Sequence, residues 1–159
     1  MATKINKKCY NYNMNLATWT ALGSFGMAIM FVALIISFYI FLVGPDEKGP
    51  ERDVAPGPAV YQIISISGVP SIILAGVVFG VRKTDESRSA ATVLIVTGIL
   101  LIFGMVVASI MLVPKIKEQY IEGGINTIPY IFIIAGVGVV GLGGYLFYKN
   151  YKKTTSKFV

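Results

Sequence analysis

The chain has 159 residues, with 14 Lys or Arg, 8 Asp or Glu and a formal charge of +6. It is 55% hydrophobic and 14% charged, against about 25% charged in an ordinary soluble domain, which excludes a soluble globular fold. Histidine is absent, which removes the commonest metal ligand and the usual proton shuttle. A single cysteine, Cys9, excludes an intrachain disulfide.

Asp, Glu, Lys and Arg are missing from residues 9–45, 54–81, 89–114 and 123–148, runs of 37, 28, 26 and 26 residues. Each exceeds the roughly 20 apolar residues a helix needs to cross a hydrocarbon core of about 30 Å. The chain therefore reads as all-α: an integral-membrane protein with four transmembrane helices in an up-down bundle, forming one domain over 1–159. The expected spans are 17–43, 57–81, 89–113 and 126–148.

Before the first span, Lys4, Lys7 and Lys8 precede a hydrophobic run too long for a signal-peptide core, so the run reads as a retained helix. Span 1 ends before Pro45 and span 3 before Pro114, where proline stops a helix. Pro56 and Pro58 open span 2 and Pro129 opens span 4; first-turn N–H groups have no helical acceptor to lose. The connection from Gly44 to Pro58 holds four prolines and the acidic residues Asp46, Glu47, Glu51 and Asp53. It reads as a solvated connector without the regular ligand spacing of a cation loop.

Basic residues number ten in the N-terminal tail, the 82–88 loop and the C-terminal tail, and four in the other two loops. The positive-inside rule then predicts both termini in the cytoplasm and a multi-pass protein of the cell membrane. Tyr10, Tyr12 and Trp19 at one end and Tyr145, Tyr148 and Tyr151 at the other suit the same interface. Lys149, Lys152 and Lys153 are placed to meet anionic headgroups. Nucleic acid is not an expected partner.

Small residues are the main feature inside the spans. Gly76 and Gly80 form a GxxxG pair in span 2, and Gly104 and Ala108 share that spacing in span 3. Span 4 is the most glycine-rich, with Gly136, Gly138, Gly141, Gly143 and Gly144, of which all but Gly143 join this set. Such residues let helix backbones approach, so these eight are the expected packing and partner-interface positions. Pro70, central in span 2, breaks one backbone hydrogen bond and crowds the carbonyl of Ile66, so a kink is expected there.

Intramembrane charges mark proton relays, ion paths and voltage sensors, and here the spans have none. Gln62 and Asn126 are the amides near span ends. The methionines, with no His or Cys neighbour in the spans, read as packing residues. No catalytic residue, metal ligand or cofactor is expected.

Abundant Ile, Lys, Tyr and Asn, four spans, a charge-free core and the absence of histidine give the chain a general look. It resembles the small multi-pass accessory subunits of membrane-bound copper monooxygenases in ammonia-oxidising archaea. The resemblance implies a scaffolding role within a larger assembly, and it carries over no residue position. The leading expectation is a non-catalytic structural subunit that contacts other integral-membrane subunits. The alternative is a small oligomeric channel or transporter for a neutral solute, lined by Gln62, Ser65, Ser67, Ser71 and Pro70. At about 3.6 residues per turn Gln62 and Ser65 share a face, but Val69 follows them and the polar stripe is short.

Overall fold

The computed structural model describes residues 16–45, 48–50, 55–80, 88–116 and 124–155, the last six without side-chain detail. All regular elements among them are helical. Helix α1 spans Leu16–Val43. Helix α2 covers Pro56–Gly80 and contains a π turn at Ile64–Gly68. Helix α3 starts at Arg88, runs regularly to Val107, and continues through a π turn at Ala108–Leu112 into a 3-10 turn at Val113–Lys115. Helix α4 spans Ile128–Thr155. All four are long and apolar enough to cross a membrane.

Two differences from the expected boundaries have local causes. Pro114 does not stop α3 but sits inside its last, tighter turn. At the other boundary, Asn126 and Thr127 precede α4 in a turn closed by Thr127 N–H donating to the Gly124 carbonyl at 2.8 Å. Gly124 adopts φ +82, a left-handed conformation that a side chain would strain.

The helices alternate in direction. One end of the bundle, the loop end, brings together Tyr39 and Leu42 of α1, Val60 of α2, Ala108 of α3 and Ile128 and Phe132 of α4. The opposite, tail end gathers Ala21, Ala75, Val78, Ala90, Ala91, Leu94, Val139 and Leu146. Large aromatic and branched side chains fill the first cluster; alanines dominate the second. Around the bundle the order is α1, α2, α4, α3. Of the adjacent pairs, α3 and α4 lie closest and α2 and α4 meet least.

At the loop end of α1, Gly44 turns the chain with φ +67. A Cβ there would collide with the backbone of Gly49, whose N–H donates to the Val43 carbonyl at 3.0 Å. Glycine is required at Gly44 by both conformation and space.

Candidate functional site

The tightest seam lies between α3 and α4, which run antiparallel. A Cβ on Gly98 would stand 2.5 Å from Val140 Cγ2 and 2.7 Å from the Gly136 carbonyl oxygen. One on Gly136 would meet Ile102 Cγ1 at 2.8 Å and the Gly98 oxygen at 3.1 Å. One on Gly143 would meet Ile95 Cγ1 at 2.8 Å and the Ala91 oxygen at 3.1 Å. Ala91 and Gly98 on one helix thus face Gly143 and Gly136 on the other, with a seven-residue step on both. Backbone meets backbone here, because lipid gives helices no hydrophobic reason to associate and packing must supply it.

The eight expected interface residues divide into two sets. Gly104, Ala108 and Gly136 are buried within the bundle; Gly104 lies against Val32 of α1, whose Cγ1 would be 2.5 Å from an added Cβ. Gly76, Gly80, Gly138, Gly141 and Gly144 point outward, and an added Cβ at any of them would meet nothing within 4 Å. Gly98, Gly143 and Gly68 also make close contacts that the spacing patterns did not single out. Gly68 is wedged between two rings: its Cβ would be 2.9 Å from both Phe31 Cε2 and Phe132 Cζ. Those rings are tilted by 40° with centroids 4.3 Å apart, a geometry worth about 0.5–1.5 kcal/mol beyond simple burial.

Polar groups inside the bundle are satisfied from within. Ser24 of α1 and Ser71 of α2 exchange hydrogen bonds: Ser24 Oγ donates to the Ser71 carbonyl at 2.8 Å, and Ser71 Oγ to the Ser24 carbonyl at 3.1 Å. Ser67 donates to the Ile63 carbonyl at 2.9 Å and Thr97 to the Val93 carbonyl at 2.8 Å. Near the loop end, Tyr39 Oη donates to the Ile125 carbonyl at 3.0 Å, tying α1 to the turn that precedes α4. Among the described residues, no buried side-chain nitrogen or oxygen lacks a partner.

No family model, curated protein or solved structure matches the chain.

The side chains that a solute path would use are not brought to one wall. Gln62 and Ser65 are exposed on the outer face of α2, with Ser65 donating to the Tyr61 carbonyl at 2.9 Å. Ser67 and Ser71 are buried on the inner face. Pro70 lies between them, half-buried, two residues after the π turn. Among the described residues, no three His, Cys, Asp or Glu side chains cluster. The acidic residues Asp46, Glu47, Glu51 and Asp53, and Cys9, fall outside the described residues, as do the side chains of Lys152 and Lys153. Lys149 is exposed near the tail end of α4.

Proposed function

We propose that this chain is a non-catalytic accessory subunit of a larger integral-membrane complex. In this reading it is a multi-pass protein of the cell membrane with both termini cytoplasmic. The observation that carries the proposal is the division of α4: Gly136 and Gly143 are used up against α3, while Gly138, Gly141 and Gly144 leave its outer face smooth and open. Smooth faces let a neighbouring helix approach closely. Ser24, Ser71 and Tyr39 are engaged in hydrogen bonds between elements of the bundle, and Ser67 in one to its own helix. The resemblance to accessory subunits of archaeal copper-dependent ammonia monooxygenases extends this reading to a scaffolding subunit of such a complex, with the metal chemistry on other subunits. Lys149, Lys152 and Lys153 would meet anionic headgroups.

Native mass spectrometry after gentle detergent extraction tests this. Reproducible co-migration with unrelated membrane subunits is the expected result. A lone homo-oligomer that passes a neutral solute in liposomes would sink the proposal in favour of the channel reading. Gly141→Leu is expected to reduce co-migration while the isolated subunit stays folded.

A further inference from the structure

Two of the helices carry the same irregularity at the same place. The π turn of α2 ends at Gly68, two residues before Pro70; the π turn of α3 ends at Leu112, two residues before Pro114. In both, the valine just before the proline bonds five residues back: Val69 N–H to the Ile64 carbonyl, and Val113 N–H to the Ala108 carbonyl. A proline ring in a regular helix collides with the carbonyl four residues earlier. Those carbonyls belong to Ile66 and Ile110, the middle residue of each π turn. The extra residue is placed where it relieves the collision.

A π turn has a second effect. It inserts one residue into the helical repeat, so everything after it is rotated relative to everything before it by roughly a quarter turn. In α2 the residues at the end of the π turn and just after it make inward contacts. Ser67 and Gly68, adjacent in sequence, are both buried. Gly68 meets Phe31 and Phe132, and four residues after Ser67 the Ser71 side chain reaches Ser24. We infer that Pro70 is a register-setting device: by holding the π turn open, it fixes the rotation of Val69–Gly80 that brings Ser71 onto Ser24. Pro70 itself makes no polar contact in this arrangement; it acts by forbidding the regular helix.

Oxidative cross-linking in liposomes tests this. The background is the full chain carrying Cys9→Ser, Ser24→Cys and Ser71→Cys, which forms a cross-link in high yield with Pro70 present. Adding Pro70→Ala lets the turn close to regular helix and swings position 71 away, so the yield falls at least about fivefold. Deleting Ile66 in the Pro70→Ala chain removes the inserted residue and restores the rotation of all that follows, so the yield recovers. An unchanged yield in a folded Pro70→Ala protein would overturn the inference, because packing alone would then hold the register. Should Pro70→Ala fail to fold, the deletion variant decides: a folded, cross-linked protein supports the device, and anything else overturns it.

Discussion

Helix α4 is bounded by two seams built on opposite principles. Against α3 it presents Gly136 and Gly143, and the two backbones touch. Against α2, which runs parallel to it, contact is made by large side chains: Phe132 reaches Gly68 at the middle of α2, and the Tyr145 ring stands 6.2 Å from that of Phe79 near the tail end. One seam has no space to lose and the other is bridged across a wider gap. Glycine content does not distinguish them, since Gly76 and Gly138 belong to the loosely joined pair yet face open space. What matters is the direction in which a glycine points and what lies opposite.

The contrast is most directly broken at Gly98. A leucine there would have to displace backbone atoms of α4, and overpacking of a close-packed site costs typically about 1–3 kcal/mol and at times more. Gly98→Leu should lie at the top of that range or prevent folding, as read by reversible unfolding in mixed detergent micelles. Next comes Phe132→Ala, which empties the bridge to α2. Truncating a buried Phe costs about 3–5 kcal/mol in a soluble core. Here the loss should be nearer 2 kcal/mol, because lipid offers the unfolded ring an apolar solvent as well. Gly68→Ala should destabilise on its own and be rescued in part by Phe132→Leu, a coupling that a double-mutant cycle would measure as about 0.5–3 kcal/mol. Smaller again is Ser71→Ala. Interhelical hydrogen bonds in membranes average about 0.6 kcal/mol, and pairing it with Ser24→Ala should give less than additive loss. At the bottom stands Gly141→Leu, expected within about 0.5 kcal/mol of the parent for the isolated protein. A large effect there would mean that the outer face of α4 is engaged inside the bundle.

Much of the architecture was legible because the lipid environment writes it in plain terms. Long charge-free runs have few structural solutions, and the apolar body of each described helix coincides with one of them, although α3 begins at Arg88 and ends at Lys115 and α4 continues past Lys149. The packing glycines were harder to read. Gly138, Gly141 and Gly144 stand three apart and look like a strip, but three residues advance a helix by about 300°, so the strip drifts around the outside. The inward pair, Gly136 and Gly143, is seven apart, close to two full turns, and so keeps facing α3. Gly98 has a small companion on the same face, Ala91, seven positions back, but no small residue three or four positions away. Its importance comes from Val140 and Gly136 on another helix, which local sequence does not announce. Gly68 is similar, since the rings that enclose it lie 37 positions before it and 64 after it in the chain. The π turns were half legible: proline marks the carbonyl that must move, but not whether the helix bends, breaks or takes in an extra residue.

The seven-residue step of the α3/α4 seam also sets the height of one helix against the other. A slide of seven residues, about 10.5 Å along the axis, would bring back only one small pair: Gly98 opposite Gly143 in one direction, or Ala91 opposite Gly136 in the other. Such a slide is a third of a hydrocarbon core of about 30 Å. A slide of α3 in one direction would draw Lys115 into lipid, and in the other would pull in Arg88, the first residue of the helix. The glycines make other heights clash, and the terminal charges make a large slide costly. Together they act as a vertical latch that holds the two helices at one relative depth.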